Sequence, residues 1–388
     1  MGVSTGITLN FFSLSIFGPA LIKDLHWTKA QFALIGSLSL FSIFVTPIVG
    51  TLVDRFGTRR AATAGFIGVP LGFVALSMMN GSITQFLGIN LAMNSIGLLT
   101  SGIVFCRALV ERFDKARGIS LALMMSAAPL SGAILPFIIA PIIAEHGWRT
   151  AYLCLALISA VGGVLAVWLV GPAPQTVSDP ALPTSASGES TFRRLRAVAR
   201  SPVFWLMLAG MFMVNMPRSF TISQLKIAVL DYGFADTIGT RVVSFYAVGT
   251  ICGRCLSGLA LDRVPTHLVA LVTMLVPAVG YMFFVFPVQD TVVLMAAVFA
   301  MGIAFGAEFD IGAFMISRNF PVTDFSKLYA ALDVALGAGS AVGALLMSML
   351  LKDTASYRGF MVIASFATVI GAVLLALTGR YRKFECSG

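Results

Sequence analysis

The chain has 388 residues, of which 58% are hydrophobic and only 11% charged, and its mean hydropathy of +0.92 would leave a soluble fold far too little polar surface. The net charge of +9 falls in short stretches between apolar runs, so it reads as membrane topology and contact with anionic lipid, not as a nucleic-acid surface. Three histidines, no phosphate-cradling loop and no nucleophile–base pair leave little for an enzyme, a cofactor or a metal to work with.

Crossing about 30 Å of hydrocarbon takes roughly 20 apolar residues. Twelve such segments are expected, at 2–22, 30–53, 61–79, 83–107, 118–142, 150–170, 202–226, 239–261, 267–287, 291–317, 326–350 and 359–379. The first begins almost at Met1 without a basic leader and reads as an anchor, not a cleaved signal. It carries Asn10, and the fourth carries Asn90 and Asn94 on one face. These are polar groups for interhelical bonding or for a ligand. Phe11 and Phe12 read as packing in a chain with 31 Phe.

From Gly171 to Ser201 the composition turns to Pro, Ser, Thr and Ala and then becomes basic at Phe192-Arg-Arg-Leu-Arg-Ala-Val-Ala-Arg200. That is the makeup of a flexible linker ending in an interfacial amphipathic segment. It divides the chain into a six-helix bundle (1–171), a cytosolic linker (172–201) and a second six-helix bundle with a short tail (202–388).

Charge inside hydrocarbon costs about 2.5–3.5 kcal/mol on insertion scales and marks function. Here it is concentrated in the second half. Arg218 follows Pro217 in the seventh segment, where the missing backbone donor loosens the helix. In the eighth, Tyr246, Thr250 and Arg254 recur every four residues and share a face. Arg254 lies about 10 Å from the cytosolic end, too deep for easy snorkelling. Its guanidinium offers paired donors matched to a carboxylate, or an internal ion pair to Glu308 or Asp310. Glu308 and Asp310 in the tenth segment point about 200° apart and should differ in role. Glu308 is the first candidate for carrying a proton, with Asp310 paired to Arg318 or another cation. Asp333 in the eleventh reads as a gating or packing charge. The third, sixth, ninth and twelfth segments have no ionisable interior residue.

Eighteen Lys and Arg fall after even-numbered segments and seven on the other side, which places both termini in the cytosol. The cysteines at 106, 154, 252, 255 and 386 give no oxidised framework. Cys252-Gly-Arg-Cys255 sits in an apolar helix with no second ligand pair, so no metal or redox role is expected.

Two loops repeat one polar pattern. Gly50-Thr-Leu52-Val-Asp54-Arg55-Phe-Gly57-Thr-Arg59-Arg60 returns, eroded, as Gly258-Leu-Ala-Leu-Asp262-Arg263, roughly 208 residues on. The first copy resembles the loop signature between the second and third helices of the major facilitator superfamily of secondary transporters. That resemblance implies an all-α integral membrane protein with twelve transmembrane helices in two pseudo-symmetric six-helix bundles, every third helix facing lipid. It also implies a cytosolic latch. Asp54 would cap the eleventh helix and Asp262 the fifth, with Arg55, Arg59, Arg263 and Arg318 strengthening the contact or binding lipid.

Gly253-Arg254-Cys-Leu-Ser-Gly258 is similar to the eighth-helix pattern of monocarboxylate transporters and bacterial oxalate–formate exchangers, whose matching Arg binds the substrate carboxylate. Phe113-Asp-Lys115-Ala-Arg117-Gly118, Gly147-Trp148-Arg149 and Leu25-His26-Trp27 resemble further signatures of that group. Thr250, however, stands where the animal monocarboxylate transporters have an Asp, and their acidic first-helix signature is absent. The resemblance implies a carrier for a small organic anion, a monocarboxylate or short dicarboxylate. It would be coupled to a proton or a counter-anion and function as a monomer in a cytoplasmic (inner or plasma) membrane. Arg254, Tyr246, Thr250, Arg218, Asn94 and Asn10 would surround the substrate. Two other readings stay open: proton-coupled export of a drug-like or cationic solute drawn by Glu308 or Asp310, and a substrate-sensing receptor on the same scaffold.

Overall fold

The computed structural model describes residues 2–101, 105, 117–170, 198–286, 290–320 and 325–380. Residues 113–116 and the side chains of 117–118 in the fifth-helix motif, most of the linker and the Asp54 side chain lie outside the described residues. The described chain is helical throughout: α1 (Gly2–Leu25), α2 (29–56), α3 (Thr58–Ser77), α4 (Ile83–Thr100), α5 (117–146), α6 (148–170), α7 (Pro202–Asp231), α8 (Asp236–Leu261), α9 (Thr266–Phe283), α10 (Thr291–Asn319), α11 (Phe325–Thr354) and α12 (Arg358–Leu377).

In hydrocarbon each backbone group must find its partner within the segment, so apolar runs of this length become helices. Ten described helices are long and apolar enough to cross a membrane, and α2, interrupted by a 3-10 stretch at Leu34–Leu38, makes an eleventh. One of the ten, Ala127–Leu169, is 43 residues long. Its length of about 65 Å is twice what one crossing needs. It breaks at Gly147 (φ 81, ψ 166), almost the backbone of Gly57 (φ 81, ψ 157), which joins α2 to α3. Only glycine adopts that conformation readily. The expected loop at 143–149 is thus a single-residue turn separating α5 from α6, and the fold has twelve crossings.

Leu71 on α3, Leu157, Val164 and Trp168 on α6, Val272 on α9 and Phe366 on α12 are all exposed, as lipid-facing side chains should be. The interior of the second half is set by glycine. Gly249 and Gly253 on α8 meet Gly302 and Gly306 on α10 so closely that a Cβ on Gly306 would lie 2.0 Å from the Thr250 carbonyl oxygen, and one on Gly253 2.1 Å from that of Ile303. Small residues spaced by four let two backbones touch. This contact fixes the rotation of α8 and α10, and hence where Arg254, Glu308 and Asp310 point.

The halves are clasped at one end. Lys29 of α2 pairs with Asp231 of α7. The Gln224 amide donates to the Lys29 carbonyl (3.2 Å) and the Tyr357 hydroxyl donates to the Gln224 side-chain oxygen (2.7 Å). The Lys226 backbone N–H donates to Ser15 Oγ (3.0 Å), and Ser348 Oγ to the Ala30 carbonyl (2.8 Å). At this end one apolar cluster runs through both halves, joining Phe17, Phe32 and Trp148 to Phe220, Val242 and Phe360. At the opposite end the buried apolar residues form two separate clusters, one around Val53, Ala62 and Phe66 and one around Leu261, Ile316 and Leu375. Among the described residues the halves are joined at one end and part at the other.

Gly306→Val forces α8 and α10 apart and costs at least the ~1–3 kcal/mol typical of overpacking. In detergent its unfolding midpoint falls by several degrees. Gly258→Ala, where an added Cβ meets nothing within 4 Å, leaves the midpoint unchanged.

Candidate functional site

Between the halves lies a cavity of about 450 Å³. Its wall takes side chains from α1, α2, α4, α5, α7, α8, α10 and α11 and, among the described residues, none from α3, α6, α9 or α12. Along α1 it extends from Leu14 back to Val3, about 16 Å away from the clasped end.

Arg218 enters this cavity because α7 breaks below it. Pro217 has no N–H to donate, the helix ends at Asn215, and the chain resumes through a π-helical turn at Phe220–Gln224. Asn215 Nδ2 anchors the break by donating to the Leu336 carbonyl of α11 at 2.7 Å. The Arg218 guanidinium then donates to Glu308 Oε1 at 2.8 Å, its side chain 19% exposed and that of Glu308 4%. It also lies 4.6 Å from the ring centre of Phe305, 5.6 Å from Phe11 and 5.7 Å from Phe309. Aromatic faces and one carboxylate thus replace the hydration of a cation held in hydrocarbon.

Arg254 lines the same cavity from α8, with Nε 3.2 Å from Asp310 Oδ2. This pair is more open: the Arg254 side chain is 25% exposed and that of Asp310 41%. Asp310 is therefore paired to Arg254 and not to Arg318. The latter lies eight residues along the helix, about 12 Å away, where its guanidinium sits 4.9 Å from the Phe314 ring centre. The two α10 carboxylates do face different partners.

Asp333, read from sequence as a gating or packing charge, lines the central cavity, as do Thr250, Asn10 and Asn94. Asn10 also ties α1 to α4, donating to Asn90 Oδ1 at 3.1 Å. Tyr246 departs from expectation. It is buried behind Phe305, accepts from Thr221 Oγ1 at 3.2 Å and does not line the cavity. A step of four residues along α8 carries its ring past the wall into the α7–α10 contact.

Arg55 and Arg59 are exposed at the α2–α3 turn. Asp262, Arg263 and Arg318 line a second cavity of about 370 Å³ with His267 and Thr378, at the end where the halves part. The fifth-helix side chains to which Asp262 would latch, at 117–126, lie outside the described residues.

Sequence reasoning missed the aromatic part of the site. Phe305 and Phe309 are four apart on α10, flanking Glu308, and so share the face that meets Arg218. That spacing beside a membrane-buried acid was the available signal.

Two six-helix halves around a charged central cavity, joined at one end, are the architecture of a secondary transporter that works by alternating access. The description "Major Facilitator Superfamily" matches residues 3–240 and 210–385, and the chain belongs to that family. It is 22% identical over 382 residues to the MFS transporter asaE of Aspergillus flavus, covering 97% of this chain and 82% of that one. It is 23% identical over 335 residues to the MFS-type transporter YhjX of Escherichia coli, covering 85% and 81%. The crystal structure of a D-xylose–proton symporter superposes with a TM-score of 0.73 at 13% identity, over 96% of this chain and 94% of that one. The protein is a multi-pass membrane transporter.

Removing one member of a buried pair strands the other, at about 3–5 kcal/mol, whereas removing both is far milder. Arg218→Leu is therefore expected to lower the unfolding midpoint in detergent markedly, and adding Glu308→Leu to recover most of the loss.

Proposed function

We propose that this protein carries a small organic anion, a monocarboxylate or short dicarboxylate, across the cytoplasmic membrane together with one or more protons, and that it does so as a monomer. The observation that supports this reading is the pair of arginines on the central cavity, each facing its own α10 carboxylate: Arg218 with Glu308, Arg254 with Asp310. A guanidinium already matched by a carboxylate can accept a substrate carboxylate only if the resident acid lets go. Protonation is how a carboxylate lets go. A proton on Asp310 releases Arg254 to the substrate, while Glu308, nearly sealed, holds Arg218 in place. When the substrate leaves, the arginine recaptures its acid and the proton departs. Proton and anion therefore travel together. Thr250, Asn10 and Asn94 supply uncharged donors around the anion.

The distribution of eighteen cations against seven supports cytosolic termini, so the clasped end faces outward and the parted end the cytosol. Closing the cytosolic side brings the two copies of the loop motif, with Asp54, Arg55, Arg59, Asp262, Arg263 and Arg318, against the opposite half. Opening the outer side breaks the Lys29–Asp231 and Gln224–Lys29 contacts. Asp333, on the cavity wall, follows the arginines and gates from within the site.

In proteoliposomes, an acid-outside gradient drives accumulation of labelled lactate, pyruvate, oxalate or formate, and Arg254→Ala abolishes it while the protein still inserts. Undiminished uptake by the inserted variant rejects the assignment. Binding weakens as pH rises, because ionised Asp310 then occupies the Arg254 guanidinium. Asp310→Asn makes binding pH-independent and leaves exchange intact, and the pH gradient no longer drives accumulation. If this variant still concentrates substrate with the pH gradient, the proton pathway lies elsewhere.

A further inference from the structure

The cavity is much larger and more apolar than a two- or three-carbon acid requires. At about 450 Å³ it falls in the range of ~300–1,000 Å³ typical of pockets for drug-sized ligands. Arg254, Thr250 and Asp333 are among its polar lining, and Phe11, Phe12, Phe305 and Phe309 share the wall. A short aliphatic acid satisfies the polar groups and leaves the aromatic surface uncovered.

The rings are already arranged for stacking. Phe11 of α1 faces Phe305 of α10 with planes 23° apart and centres 5.6 Å apart, within the 4.5–7 Å range of favourable aromatic pairs. The planar guanidinium of Arg218 lies over the same rings, so the slot accepts a flat delocalised group in its present form. Tyr246 backs Phe305 at 5.7 Å and holds it in place. Phe11 belongs to the N-terminal half and Phe305 to the C-terminal half, so their contact is also a contact between the bundles.

Charge limits the number of carboxylates. Arg218 is committed to Glu308, whose side chain is only 4% exposed, whereas Arg254 lines the cavity and its pair with Asp310 is more exposed. One exchangeable guanidinium suits one carboxylate.

The geometry points to a flat, ring-bearing monocarboxylate as the cargo, its carboxylate on Arg254 and its ring in the slot formed by Phe11, Phe305 and Phe309, where it takes over the Phe11–Phe305 contact. This assignment rests on the organic-anion reading above and narrows it. Bound cargo then stands between the two halves at the point where they touch, and its ring replaces a cross-bundle contact.

Phenylpyruvate and pyruvate share the same α-keto acid head and differ by the ring, so they isolate the claim. Binding of each to the purified full-length protein is measured by calorimetry, alongside phenylacetone, which keeps the ring and lacks the carboxylate. Phenylpyruvate is expected to bind roughly tenfold or more tightly than pyruvate, as burial of a phenyl group implies. Phenylacetone is expected not to bind detectably. Phe11→Ala should remove most of that preference, and Phe11→Leu, which keeps an apolar filler, should give an intermediate loss. Both variants are checked for a single monodisperse species, and the wild-type comparison decides the question without them. If pyruvate binds in an Arg254-dependent manner and phenylpyruvate binds no tighter, the ring slot is rejected and the organic-anion reading stands. If neither acid binds, both fail. If phenylacetone binds as well as phenylpyruvate, the carboxylate requirement is rejected.

Discussion

Two arginines in the hydrocarbon-spanning part of one bundle must each be matched, and the rest of the site follows from how this is done. A guanidinium at membrane depth keeps its charge, so the protein supplies acceptors in place of water. Here α10 supplies both, Glu308 to Arg218 and Asp310 to Arg254. The pairs differ in access: one is nearly sealed and sits under aromatic rings, and the other opens on the cavity. A sealed pair holds structure and an open pair exchanges partners. A single helix therefore carries both a fixed and a labile counter-charge, two residues apart.

Backbone features bring these groups together. The glycine contact between α8 and α10 leaves no room for side chains between the helices, so Arg254 beside it is directed into the cavity. The break in α7 at Pro217, with Asn215 bonded to α11, turns Arg218 inward at the level of Glu308. An uninterrupted α7 would rotate Arg218 by another register. Position in the membrane and orientation of charge are thus set by residues that carry no charge themselves.

Much of this was legible in the sequence because the bilayer is a strict solvent. Twelve apolar runs, the repeated Asp54 and Asp262 loops, and five ionisable residues at hydrocarbon depth all stood out, since lipid tolerates each only in a narrow setting. Partnerships were not legible. Arg218 and Glu308 are 90 residues apart in sequence, and their meeting depends on helix rotation that periodicity does not encode. For Asp310 the sequence left Arg318 or another cation open, and a neighbouring helix brings Arg254 to it. The turn at Gly147 hid inside a sequence that reads as two helices and a loop. Phe11 and Phe305 were lost among 31 phenylalanines, because only their stacking across the bundle interface distinguishes them from packing.

That stacking gives the cavity a mechanical character. A ligand can move a two-state equilibrium only by the difference in its affinity for the two states. A guest that touches one bundle alone has little such difference, because that bundle moves as a body. Phe11 and Phe305 come from opposite halves and meet on the cavity wall. A group that lies against both gains contact as the halves close around it and loses contact as they part. The Arg254–Asp310 pair belongs to the C-terminal half alone. The aromatic contact belongs to both halves, so a group lying against it acts on their relative tilt. Recognition and rocking are linked at the same wall because its polar groups and its rings are divided between one body and two.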